Sequence, residues 1–364
     1  MKKFPFFAPF IVALLILPYF SCKSTPAAGT SSKPAEPAAA GGRASPAVLG
    51  ELSTAKARAD EARKKAADFD SPLYFPSDWE AAETQYVRAG QTPQSTDANV
   101  RSAIADYNAA ADAYDSLFKL AVPLYAQARE DEIIALRDNL IAVGWADVLP
   151  NFLAAADKAA ITAYEQYEAE DYYAAKDSAA QALMMYQTLT NAYNALMAAN
   201  EIEEMDFISY DPDNYVRAGE ILDQAMDDYE SENYASAYEN SNEALNRYNL
   251  ILSAGWAANA EKYAALAATA RQAALDVKAD VAVRTVFAEA DTNYKGGVSA
   301  LAAEKYSEAA KQFFSAEALF TTATASAIEK RGIAEQTIEE ANRKIEESDE
   351  TARLAELIIE GGAE

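Results

Sequence analysis

The sequence predicts an all-α protein built from repeated antiparallel helical hairpins, and three observations carry that reading. The apolar content rests heavily on alanine, accompanied by Leu, Glu, Asp and Gln, a mixture that favours helix. Prolines crowd toward the amino terminus and none follows Pro212, so the remaining chain meets no obligatory helix breaker. The third is a spacing carried twice by residues 215–248: Tyr215-Ala218-Ala225-Tyr229, a short Glu-Ser-Glu-Asn turn, then Tyr234-Ala237-Ala244-Tyr248. Offsets of 0, 3, 10 and 14 keep these residues on one stripe of a 3.6-residue helix, so each half reads as a helix with aromatic ends and a small-residue middle.

In chain order, residues 1–21 come first, with a basic start, an apolar run and a small residue before Cys22, the layout of a secretory signal peptide. The run is too short and asymmetric for a good spanning helix. Leu17-Pro18-Tyr19-Phe20-Ser21-Cys22 resembles a bacterial lipoprotein box, which implies lipidation of Cys22, export, and a membrane-anchored position in the cell envelope, on the periplasmic side or at the outer membrane. Residues 22–47 are rich in Ala, Pro, Ser and Gly and read as a flexible tether.

From Val48 the pattern becomes helical, with Leu52, Ala55, Ala59, Ala62 and Ala66 on one face. Pro72 and Pro76 are expected to stop it, with Ser77 or Asp78 capping the next helix. The helical repeat domain then spans 48–360, with hairpins near 79–114, 153–186, 215–248 and 287–320. The first copy carries Trp79, Ala82 and Ala89, then Val100, Ala103, Ala110 and Tyr114. The second carries Leu153, Ala156, Ala163 and Tyr167, then Tyr172, Ala175, Ala182 and Tyr186. The fourth carries Phe287, Ala290, Gly297 and Leu301, then Tyr306, Ala309, Ala316 and Phe320. Corresponding positions Val100, Tyr172, Tyr234 and Tyr306 lie 72, 62 and 72 residues apart, which is an internal repeat. Mid-stripe alanines let helix axes approach, and the end aromatics are expected to fill the wider splay between hairpins. Asp171 or Asn233 is placed to cap the helix after its turn.

The run Ala225-x3-Tyr229-x4-Tyr234-x2-Ala237-x6-Ala244 resembles tetratricopeptide-type (TPR-like) repeats, and Tyr172-x2-Ala175-x6-Ala182 and Tyr306-x2-Ala309-x6-Ala316 match its later half. The resemblance implies a TPR-like solenoid that binds other proteins, with a long multi-helix bundle as the alternative architecture. Segments 121–142, 187–204 and 256–277 read as further helices between hairpins. Asn139-Leu140-Ile141 before Gly144-Trp145-Ala146 is echoed by Asn249-Leu250-Ile251 before Gly255-Trp256-Ala257, each glycine marking a bend or an end. A long helix over 321–360 carries Ile328, Ile338, Ala341 and Ile345 near heptad spacing; it is expected to cap the last repeat, with pairing to another chain as the alternative.

The chain has no histidine and one cysteine, which excludes His/Cys zinc sites, Ser-His-Asp triads, Cys-His nucleophiles and internal disulfides. No phosphate-cradling glycine loop is present. Asp211-x-Asp213 lacks the glycine and distal glutamate of a calcium loop and reads as a helix start. No catalytic, cofactor or metal site is therefore expected, and the chain is not read as an enzyme. A formal charge of −26 without a basic patch disfavours nucleic acid. The stripe residues are expected to pack the repeats, leaving off-stripe Tyr164, Tyr173, Tyr193 and Tyr238 as the candidate binding surface. The expected function is a lipid-anchored cell-envelope scaffold for protein-protein interaction, whose partner is an envelope protein or assembly. The alternative is a ligand-binding or transport-accessory periplasmic lipoprotein. The oligomeric state stays open.

Overall fold

A computed structural model describes residues 43–361, so the expected signal peptide, Cys22 and the expected tether up to residue 42 lie outside the described residues. Within them the protein is all-α, without a strand. Long and short helices alternate. Helix α1 (Pro46–Asp68) leads into the one-turn α2 (Ser71–Tyr74), the short α3 (Pro76–Gln91) and the long α4 (Asp97–Ala142). The same order recurs with α5 (Trp145–Val148), α6 (Pro150–Glu168) and α7 (Tyr172–Glu204). It recurs again with a 3-10 turn (Phe207–Tyr210), α8 (Pro212–Glu230) and α9 (Tyr234–Asp276). The last round is α10 (Ala279–Ala282), α11 (Arg284–Ala302) and α12 (Tyr306–Gly361).

The segments expected to be separate helices between hairpins are instead continuations of the hairpins' second helices. Residues 121–142 finish α4, 187–204 finish α7 and 256–277 finish α9 all but the last residue. Each long helix therefore serves twice. Its first half closes a hairpin with the short helix before it, and its second half receives the next short helix and the start of the next long helix. Successive long helices run parallel where they overlap. Ser45 at the start of α1 donates its backbone N–H to Asp97 at the start of α4 at 2.6 Å, and further along Arg58 meets Asp112. Likewise Asn191 lies beside Ser241, and ten residues later Glu201 accepts from the Trp256 indole at 2.8 Å. Where α1 ends, α7 begins: the Tyr173 hydroxyl donates to Asp68 at 3.0 Å, and Lys176 donates to the Asp68 carbonyl.

The core follows the small-residue stripes. In α1 the buried residues Val48, Leu52, Ala55, Ala59, Ala62 and Ala66 alternate steps of four and three, the spacing of one helix seam. Ala218, Ala225, Ala237 and Ala244 of the third hairpin are all fully buried. The aromatics close each hairpin across its own two helices, and those at the turns also fill space between hairpins, Tyr172 against Phe118 at 6.0 Å and Tyr229 against Phe152 at 5.1 Å. Tyr215 packs on Tyr248 at the open end at 5.5 Å, and Tyr229 on Tyr234 at the turn at 5.2 Å. Trp79–Tyr114, Tyr167–Tyr172 and Phe287–Phe320 repeat the arrangement at 5.0, 5.7 and 5.3 Å. Tyr229 also reaches outside its hairpin, donating to the Phe152 carbonyl at 2.9 Å. Tyr306, which opens α12, is half-buried.

The turns repeat as closely as the stripes. Asp70, Gly144, Asp206 and Lys278 take positive φ at the end of a long segment, and Glu170, Glu232 and Glu304 do so at the hairpin turns. Asp171 caps α7 through the Ala174 N–H and Asp211 caps α8 through the Asn214 N–H, whereas the Asn233 side chain makes no cap. Pro76 opens α3 directly after Phe75, so neither Ser77 nor Asp78 is the cap; proline suits the first turn because that N–H has no intrahelical partner. Pro72 likewise sits in the first turn of α2 rather than merely stopping α1. The two echoed glycines differ. Gly144 ends α4 at φ 76°, while Gly255 stays inside α9, where the Phe207 ring occupies the space a Cβ would need. The expected cap over the last repeat does not form: α12 is buried through Ala327, and from Ile328 its described side chains are exposed, save half-buried Gly332.

Candidate interaction surface

The repeat places a charged staple at three of the four junctions between a long and a short helix. Arg63 on α1 holds Glu83 on α3 at 2.5 Å, and Glu83 accepts from the buried Tyr114 hydroxyl at 2.6 Å. In the next unit Arg137 holds Asp157 at 2.8 Å, and Tyr186 donates to the same carboxylate. Arg271 holds Asp291 at 3.0 Å, but Phe320 replaces the tyrosine. In the third unit Ala199 and Gly219 occupy the equivalent positions, and Tyr248 remains without the pair. Burial raises the Glu83 pKa, but the hydrogen bonds from Arg63 and Tyr114 outweigh it and hold the carboxyl below its ordinary range. Burial, then the bond to Glu83, pushes the Tyr114 phenol well above its ordinary value, and Tyr186 behaves alike beside Asp157. These arginines, acids and tyrosines are engaged in holding helices together and offer little to a ligand.

The four off-stripe tyrosines are distributed over three helices rather than gathered at one place. Tyr164 is on α6 and exposed. Tyr173 is exposed by 40 %, but its ring packs edge-on to Phe69 at 5.3 Å and its hydroxyl is held by Asp68. Burial and that bond push its phenol up to about 12. Tyr193 packs against Trp145 at 5.5 Å, and Tyr238 is half-buried on α9, one turn beyond Tyr234.

The structure offers two other surfaces. An open groove of about 710 Å³ runs between α7 and the α8–α9 turn, lined among others by Asp177, Gln181, Met184, Asp228, Glu232 and Tyr234. Its carboxylates suit a basic or polar partner. The second is a repeated position: each one-turn segment exposes an apolar side chain, Leu73 at 73 %, Val148 at 62 %, Tyr210 at 48 % and Val281 at 67 %. The residue opening each segment, Ser71, Trp145, Phe207 and Ala279, is buried, so the turn is pinned with its third or fourth residue outward. Sequence alone misses this row, because an apolar residue in a short connection looks the same whether it packs or protrudes.

Among the described residues, no group of three or more acidic or cysteine side chains is placed to hold a metal ion, and no helix is long and apolar enough to cross a membrane. Comparison of the chain with family models, with curated proteins and with solved structures finds no match.

Proposed function

We propose that this chain is a lipid-anchored cell-envelope protein that acts as a protein-protein interaction scaffold through TPR-like helical repeats. The observation that carries the reading is the row of exposed apolar residues, one per repeat, presented by segments whose own first residue is buried. Apolar side chains carried by the corresponding one-turn segment of each unit give a partner several weak contacts at once, and linked contacts multiply affinity without any single strong site. The lipoprotein-like box at Cys22 and the tether after it supply the anchor and the reach. The acidic groove beside Asp177, Asp228 and Glu232 favours a partner with basic or polar segments. The alternative, carriage of a small ligand, calls for an enclosed apolar cavity; the groove's open, acid-lined form favours the scaffold.

In-cell crosslinking followed by membrane purification tests this. The native chain is expected to yield a discrete protein adduct that falls several-fold in the combined variant Leu73→Ser, Val148→Ser, Val281→Ser, with thermal unfolding unchanged. Recovery of a retained small molecule and no protein adduct would overturn the scaffold reading. Cys22→Ser is expected to release the protein from membranes; lipid label persisting in that variant would sink the anchor.

A further inference from the structure

Among the described residues, the exposed half of α12 is the one second half of a long helix that no short helix covers. In α4, α7 and α9 that half is seated among the following helices, yet in α12 Ile338 is 60 % exposed and Ile345 57 %. The seam nevertheless continues. Phe313, Phe320, Ala327, Ala334, Ala341, Ser348 and Ala355 form one column seven residues apart; the first three are buried at 1, 0 and 2 %, and the rest are exposed. A second column, Ile338, Ile345 and Ala352, lies beside it, so steps of four and three alternate from Ala334 to Ala355. This is the pattern by which α1 is buried along α4.

We infer that residues 330–356 of α12 pair with the same segment of a second copy of this chain, as a parallel, in-register two-stranded coiled coil. Charge selects the occupant and its direction. One flank of the stripe carries Lys330 and Lys344, and the other carries Glu335, Asp349 and Glu356. In a parallel pair each basic-flank residue meets the acidic-flank residue five positions later on the other strand. Lys330, which in the single chain donates to the Ala282 carbonyl at 3.0 Å, then turns to Glu335 of the second copy, and Lys344 faces Asp349 of the second copy. Glu335 keeps its contact with Arg331 on its own helix, an exposed pair at 2.7 Å that leaves the flank open. An antiparallel pair would set acidic flank against acidic flank and lysine against lysine. Isoleucine in one column and alanine in the other gives branched side chains small neighbours to pack over, and β-branched residues at that position favour two parallel strands. At about 1.5 Å per residue the contact is roughly 40 Å long. The inference stands independently of the proposed function, since it uses only the tail's own stripe and flanks.

Single thiols in the full chain test it, in a Cys22→Ser background so that no other cysteine is present. Ala334→Cys and Ala355→Cys, each alone, are expected to oxidise to a disulfide-linked homodimer, while Gln336→Cys on the outer face stays at least several-fold lower. Lys330→Glu with Lys344→Glu is expected to cut the yield several-fold, and adding Glu335→Lys and Asp349→Lys to restore it. Helix content and melting measured on every variant check that it is folded. Cross-linking only when the Ala334→Cys and Ala355→Cys chains are mixed would mean an antiparallel pair and overturn the inference. So would yields no higher than the Gln336→Cys control, or adducts to a different protein alone.

Discussion

At the scale of single residues, the same positions keep changing occupants while keeping their task. Glu83 and Asp157 each take a bond from an arginine and a tyrosine, and where the tyrosine gives way to Phe320 the Arg271–Asp291 pair persists. Glu83 is the useful probe. Its folded pKa lies below its unfolded one, so its contribution is present above the ordinary carboxylate value, near 4, and is lost as pH falls through the depressed folded value. Glu83→Gln is therefore expected to cost about 1–2 kcal/mol at neutral pH and much less at pH ~3, measured by urea unfolding. An equal cost at both pH values would mean that charge plays no part. The tyrosines work in the opposite sense: folded values raised above the ordinary one, near 10, hold stability below it and lose it as pH rises toward about 12, the value reached by Tyr173. Spectroscopic titration of the phenols is expected to show Tyr114, Tyr186 and Tyr229 ionising only as the fold opens.

At the scale of elements, the alanine and aromatic offsets were enough to read the hairpins, because a 3.6-residue period shows directly in sequence. They did not show which helix an aromatic faces: Tyr215 opens one stripe and Tyr248 closes the other, yet they meet across one hairpin, a fact of pairing rather than of period. Nor did they show that α4, α7 and α9 run on past their hairpins. Gly144 and Gly255 sit in similar sequence but at different places in the repeat: Gly144 lies 44 residues after Val100, as Lys278 does after Tyr234, and both end a long helix at positive φ, whereas Gly255 lies mid-helix under the Phe207 ring. The off-stripe tyrosines were chosen by exclusion from the stripe, and a helix face outside one seam can still be claimed by the next unit, as Tyr193 is by Trp145. The glutamates at hairpin turns were invisible for another reason, since the left-handed conformation is ordinarily signalled by Gly or Asn. Glu232, at φ 61°, holds that conformation at a cost, so Glu232→Gly is expected to raise stability by about 0.5–1 kcal/mol in denaturant melts. A loss would mean that its side chain makes a stabilising contact.

At the scale of the whole molecule, the repeat is staggered rather than stacked: every long helix belongs to two neighbouring units, and α12 carries the stagger past the last of them. Ending the chain after Ile328 is expected to leave the melting temperature of the remaining protein within about 2 °C of the full chain, followed by circular dichroism. A larger fall would mean the exposed tail supports the body. The acidic balance is steepest over residues 201–250, which carry 14 acids against two arginines, and the expectation of a surface unsuited to nucleic acid follows from the overall balance.

The shared helices also set a phase. Because α4, α7 and α9 cross from one unit to the next without a loop, the direction in which each unit faces is counted out in residues, at roughly 100° of rotation for every one. One residue inserted near the middle of α9 would swing all that follows, Val281 included, by about a quarter turn, whereas seven would bring it back within about 20°. Length along these helices is thus a dial for orientation, and chain-length changes confined to them would be tolerated in steps.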